Sequence, residues 1–144
     1  MTSDQLTARE AIRDLLTRYT YNGDRGRIAE LAACFADDGV LEYPGNKGTG
    51  PDAIIAALTS GDRNPAITFI RHHITNPLID LAVDGQSATS RSYFQVVSNG
   101  GPDHAGTYSD RLVLTGQGWR FAHRLVRIDW QADGSLFRNM VTRQ

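Results

Sequence analysis

The chain has 144 residues, 40% of them hydrophobic, and 15 Lys and Arg against 16 Asp and Glu leave a formal net charge of -1. That describes one domain, residues 1–144, with enough apolar content to bury a core. The basic residues are scattered, so the electrostatic footprint of a nucleic-acid binder is missing. No apolar run is long enough for a bilayer and the opening MTSDQLTARE lacks an apolar signal core, so no membrane partner and a cytoplasmic location are expected.

In chain order, Ser3 or Asp4 can cap a first helix in which Leu6, Ile12, Leu15, Leu16 and Tyr19 recur at near-helical spacing. Asn22-Gly23 should end it, with Asp24 following where the chain either turns or starts the next helix. Arg25 to Phe35 carries Ile28, Leu31, Ala32 and Phe35 on one stripe, which predicts a second, shorter helix; Cys34, set among apolar neighbours, reads as a small buried residue. Asp37-Asp38-Gly39 forms a turn, Val40 to Tyr43 a short strand, and Gly48 to Gly50 a flexible connector. Pro51 suits the first position of a third helix, Pro51 to Ser60. Four strand-like runs follow, Ile67 to Asp80, Ser87 to Val97, His104 to Leu114 and Trp119 to Trp130, separated by Asp84-Gly85, Asn99-Gly100-Gly101 and Gly116-Gln117-Gly118. Helices first and an antiparallel meander after them predict an α+β domain, a curved sheet under a helical layer.

The chemistry concentrates in TFIRHHITNPLID, Thr68 to Asp80. Strand alternation puts Ile70, His72, Ile74, Asn76 and Leu78 on one side and Phe69, Arg71, His73, Thr75 and Pro77 on the other. The first set is more apolar, so His72 should face inward and His73 outward. Adjacent strand residues cannot chelate one ion, and with no HExxH or Cys/His cluster no metal site is expected. Asp24 is the candidate partner for His72, the competing reading being a cap for the second helix. Alternation on the last run groups His123 with Trp119, Phe121 and Leu125, opposite Arg124, which suits packing or an interface. His104, beside a glycine-rich turn, is expected at the surface.

Several segments together resemble the SnoaL-like branch of the NTF2-like superfamily: a helix ending in Tyr19 and Asp24, FADDGVLEYPG (Phe35 to Gly45), GPDAI (Gly50 to Ile54), RHHITN (Arg71 to Asn76) and GWRFAHR (Gly118 to Arg124). The resemblance covers nearly the whole chain in order. Members such as scytalone dehydratase, bile acid 7α-dehydratase and hexachlorocyclohexane dehydrochlorinase share a cone-shaped α+β barrel, three N-terminal helices on a mostly antiparallel sheet around a deep pocket, with an Asp-His dyad. Carried over, the dyad falls on Asp24 and His72, pocket tyrosines on Tyr19 and near Tyr43, and a closing-strand arginine on Arg124. Asn76, on the His72 side of its strand, joins these as a candidate substrate contact. Thr20 stands where the dehydrochlorinase has lysine, and no counterpart of scytalone dehydratase's second pocket histidine is evident.

The resemblance implies a cofactor-independent lyase, performing dehydratase-type elimination or isomerisation on a small, mostly apolar cyclic or polyketide-like molecule. His72 would be the general base, its tautomer set by Asp24. Two other classes remain open: a non-catalytic small-ligand carrier, and a structural subunit like the small subunit of ring-hydroxylating dioxygenases. Family members commonly associate through the outer sheet face, so a homo-oligomer, dimer or trimer, is expected, with Trp119, Phe121 and Trp130 supplying apolar area.

Overall fold

The computed structural model describes residues 1–141. Three helices, α1 (Ser3–Asp24), α2 (Ile28–Ala32) and α3 (Pro51–Leu58), accompany six strands, β1 (Phe35–Tyr43), β2 (Asn46–Thr49), β3 (Ile70–Leu81), β4 (Ser87–Ser98), β5 (Gly101–Thr115) and β6 (Gly118–Gln131). The strands form one sheet in the order β2-β1-β6-β5-β4-β3, antiparallel except where β1 runs parallel to β6. This is the expected α+β architecture, a curved, mostly antiparallel sheet with helices packed on it. No described helix is long and apolar enough to cross a membrane.

Local signals explain most boundaries, and the exceptions have physical causes. The cap of α1 is Thr2 rather than Ser3 or Asp4: its hydroxyl accepts from Gln5 N at 3.1 Å while the Gln5 side chain accepts from Thr2 N at 2.8 Å, a reciprocal capping box. Asp24 is the last residue of that helix and not part of the turn after it. The second helix is shorter than expected because Phe35 already begins β1. Between Phe35, opposite Phe121, and Val40, opposite His123, the first strand has extra residues, so Asp37-Asp38-Gly39 loops out within the strand. Gly48 to Gly50, expected as a connector, is mostly strand: β2 pairs with β1 through Gly48 and Thr49, and a Cβ at Gly48 would stand 2.8 Å from the Ala53 carbonyl oxygen.

Two irregularities overturn the simple alternation. On β3, Asn76 takes a positive φ of 54° and the pairing slips between Thr75 and Leu78, so Asn76 and Leu78 face solvent while Ile79 fills the core. Pro77 lacks an N–H for the ladder, and asparagine tolerates the left-handed conformation better than most residues. On β6, Ala122 is an extra residue between Phe121, paired with Leu112, and His123, paired with Arg111. Trp119, Phe121 and Arg124 therefore all point inward, and His123 turns outward to bond Glu42 at 3.0 Å. Of the three residues expected to supply an outer apolar surface, Trp119 and Phe121 belong to the core, and Trp130 alone is exposed.

The inward slip of Arg124 gives the core its one enclosed ion pair among the described residues. Arg124 donates to both Asp110 oxygens, at 2.8 and 2.9 Å, and both side chains are 0% exposed. The guanidinium lies 3.8 Å from the centroid of Tyr108 and 4.3 Å from those of Tyr19 and Phe121, so aromatic faces supply part of the solvation that water would otherwise give. Arg124 Nη1, Ser90 Oγ and Ser92 Oγ have no partner among the described residues, which leaves the polar part of this core only partly satisfied. Truncating one partner strands the other charge in the interior. Arg124→Ala is expected to lower unfolding free energy by about 3–5 kcal/mol, measured by urea denaturation, whereas the double change Arg124→Met with Asp110→Leu should recover most of the loss.

Candidate functional site

Two anchors determine where the end of α1 meets the sheet. Arg9 Nη1 donates to the Ile79 carbonyl at 2.6 Å, and Asp24 Oδ2 accepts from His72 N at 3.0 Å. From Arg9 to Asp24 an α-helix advances about 22 Å, and from Ile79 back to His72 a strand covers about 23 Å. The match lays the helix antiparallel along β3 and brings its last carboxylate to the middle of the histidine run.

β3 is the edge of the sheet, and His72 pairs with Val96 of β4 on its inner side. Its outward N–H would otherwise be an open ladder donor. Asp24 takes that N–H with one oxygen and His72 Nδ1 with the other, at 2.6 Å. A carboxylate fixed at both oxygens selects the imidazole tautomer that carries its proton on Nδ1, leaving Nε2 as a lone-pair acceptor. The Asp24 side chain is 9% exposed and that of His72 25%, so the pair is sheltered while the ring still reaches open space.

A second histidine lies on the same row. His72 pairs with Val96, and Val96 with His104 of β5, so all three side chains point to the inner face, with the histidines two strand spacings, about 10 Å, apart. His104, expected at the surface, is buried: it falls on the same alternation as Gly106, Tyr108, Asp110 and Leu112, all facing inward, and Asp103, the extra residue opposite the slip between Val96 and Val97, is buried beside it. Its Nδ1 meets Asp103 Oδ1 at 2.7 Å, the one ring hydrogen bond it makes among the described residues. Phe94 lies between the two imidazoles, 6.4 Å from His72 and 6.2 Å from His104, and stacks on Tyr108 at 4.4 Å. Gly106 makes room for it; a Cβ there would stand 2.8 Å from the Phe94 ring. Spacing within one strand gives no hint of this pair, because the histidines belong to different strands. The signal that could have exposed it was the Asp103-His104 sequence at a strand start.

The other candidates sort by geometry. Tyr19 is buried in the aromatic cluster with Phe35, Tyr108 and Phe121. Tyr43 donates its hydroxyl proton to the Ala57 carbonyl at 2.9 Å, joining β1 to α3. Asn76 is on the exposed bulge, away from the inward-facing row, and Arg124 is enclosed by Asp110 and three rings, so neither lies beside His72 Nε2. His73 is exposed, as expected. No group of three metal-ligating side chains forms among the described residues. A groove of about 750 Å³ lies on the outer sheet face between Arg91, Arg127 and Asp129, and neither Asp24 nor His72 lines it.

Electrostatics assign distinct roles. Burial pushes the Tyr19 and Tyr108 phenols above their ordinary range despite the nearby Arg124, so both stay protonated at neutral pH. Burial also pushes His104 below the usual histidine value, against the pull of Asp103, so its imidazole is neutral at neutral pH. For Asp103, burial opposes the charge, but hydrogen bonds from Ser135, His104 and Leu136 outweigh it and hold the carboxyl below its ordinary range.

A family profile described as SnoaL-like domain matches residues 4–125. A protein from Novosphingobium aromaticivorans, provisionally named a scytalone dehydratase, is 29% identical with a TM-score of 0.80, over 98% of this chain and 96% of that one. An NTF2-like protein with a cystatin-like fold from the same organism is 28% identical with a TM-score of 0.76, over 91% and 86%. LinA, 20% identical with a TM-score of 0.76 over 94% and 97%, shares the fold. A search of curated proteins finds no match.

Since His104 is held below its ordinary value of 6.5 in the folded chain, the unfolded chain takes up that proton first on acidification. Its contribution to stability is complete above that value and is lost as pH falls through the lower, folded one. The urea midpoint should decline between pH 7 and pH 5, and His104→Phe should flatten that part of the curve.

Proposed function

The chain belongs to the SnoaL-like family, and on that premise we propose that it is a cofactor-independent lyase, carrying out dehydratase-type elimination or isomerisation on a small, mostly apolar cyclic or polyketide-like substrate. The observation that carries the reading is the Asp24–His72 pair: a 2.6 Å contact at Nδ1, a carboxylate fixed by a second bond, and an Nε2 free to act. A structural histidine with both nitrogens satisfied by backbone would not need this arrangement.

In this reading His72 Nε2 takes a proton from a carbon next to an activating carbonyl. The C–H electrons become the new double bond, the adjacent C–O bond breaks, and a proton joins the leaving oxygen to release water. Asp24 stabilises the imidazolium formed on the way. His104, also neutral and with its proton on Nδ1, presents a lone pair at Nε2 and can only relay a proton there; the proton that joins the leaving oxygen is the one His72 has removed. The protonated hydroxyls of Tyr19 and Tyr108 polarise the carbonyl side and do not serve as bases. Phe94 and Phe137, either side of His104, suit the flat apolar part of a ring. The similarity to a protein provisionally named a scytalone dehydratase supports the reaction class.

The other readings make different demands. A carrier would return its ligand unchanged, with Asp24 and His72 affecting affinity alone. A structural subunit would purify with a stoichiometric partner. We also propose that the protein is a homo-oligomer, dimer or trimer, associating through the outer face, where Tyr93, Leu78 and Trp130 are exposed; light scattering at micromolar concentration that gives a monomer refutes this.

The chemical test incubates the protein with a panel of β-hydroxy carbonyl compounds and reads loss of water by mass spectrometry. His72→Ala should lower kcat by about 10²- to 10⁴-fold. Asp24→Asn, which presents an N–H to Nδ1 and selects the wrong tautomer, should do the same with the circular dichroism spectrum unchanged. Turnover that survives both changes refutes the lyase.

A further inference from the structure

Beyond β6 the chain turns back across the end of the sheet where the two histidines lie. Gln131 staples this segment: its Nε2 donates to Ser135 Oγ at 2.9 Å and to the Arg138 carbonyl at 2.8 Å, and its Oε1 accepts from Met140 N at 2.8 Å. The segment also binds the loops around the site. Asn64 Nδ2 donates to the Leu136 carbonyl at 2.9 Å, and the Arg138 guanidinium donates to the Pro44 carbonyl. Phe137 places its ring edge-on to His104, 5.0 Å between centroids.

The contact that ties this segment to the chemistry is at Asp103. That carboxylate has three side-chain or backbone donors besides solvent: His104 Nδ1 at 2.7 Å, Ser135 Oγ at 2.7 Å and Leu136 N at 2.9 Å. Two of the three come from the C-terminal segment. We propose that residues 135–140 form a positioning strap, in which Ser135 and Leu136 hold Asp103 so that His104 keeps its proton on Nδ1 and offers Nε2 to the substrate only while the strap is closed. The strap is thereby part of the acid–base machinery as well as a cover. This rests on the reading of His72 and His104 as the proton-transfer groups.

The physical consequence has a definite sign. When the strap lifts, Asp103 loses two donors, its charge concentrates on His104, and water replaces Phe137 against the ring. Both changes favour the imidazolium. By linkage, strap closure is strongest where His104 is neutral and weakens as acid protonates it. The charged groups around His104 are Asp103 on its own strand and, across Val96, His72 with Asp24 behind it; Phe94 and Phe137, which pack directly on the ring, carry no charge.

The test uses the full chain labelled with ¹⁵N in its histidines, followed by long-range imidazole NMR across pH, with His72→Gln and His104→Gln supplying assignments. Ser135→Ala should raise the His104 titration midpoint by about 0.5–1 unit, and Ser135→Thr, which restores the hydroxyl, should return it. Gln131→Leu, which frees the strap without touching Asp103, should raise it as well and keeps the question open to refutation if Ser135→Ala folds poorly. A His104 midpoint unmoved by both Ser135→Ala and Gln131→Leu overturns the strap's positioning role. In the same spectra, His72 with its proton on Nε2 would overturn the Asp24–His72 reading instead, so the two failures are told apart.

Discussion

One carboxylate at the edge of the sheet organises the site. Edge strand β3 presents His72 N–H to solvent, and a long helix lies along it ending in Asp24, which accepts that N–H and the imidazole Nδ1 together. The first bond covers an open edge, and the second sets a tautomer. Because both oxygens are committed, the orientation of the carboxylate is fixed, and the edge N–H and the imidazole tautomer depend on the same geometry. The Arg9 bond to Ile79 at the other end of the helix keeps that geometry in register.

Behind the dyad, the interior is more polar and more crowded than an apolar cavity would be. Arg124 and Asp110 are an ion pair without exposure, wrapped by Tyr19, Tyr108 and Phe121. Replacing such a pair with packed hydrophobic side chains is often neutral or stabilising, so its presence is weak evidence of a stability role. The guanidinium also lies against two tyrosine rings whose hydroxyls stay protonated because they are buried. The cation packs against those rings and balances Asp110.

The two histidine–aspartate pairs are built differently. Asp24 reaches His72 from another element across the fold, and its orientation is guaranteed by the helix. Asp103 is the neighbour of His104 in sequence, and its orientation depends on Ser135 and Leu136. One pair is set by the long helix α1 and the other by the C-terminal segment that bonds Asp103.

The periodicities of α1, α3 and the four long strands, and the Gly- and Asn-containing turns between them, were legible from sequence because those signals are local. So were the inward direction of His72 and the outward direction of His73, which need nothing beyond alternation on an unbroken stretch. The motif resemblance supplied the pairing of Asp24 with His72, for which residue spacing alone offered no decision against a cap. What only the tertiary structure decided came after breaks in the period. The Asn76-Pro77 bulge moved Asn76 outward, the extra Ala122 moved Arg124 and Phe121 to the same inner face, and the Asp103 bulge buried that carboxylate beside His104. A single inserted residue reverses every side chain beyond it, and whether one is inserted depends on the neighbouring strand, which no stretch of sequence contains by itself.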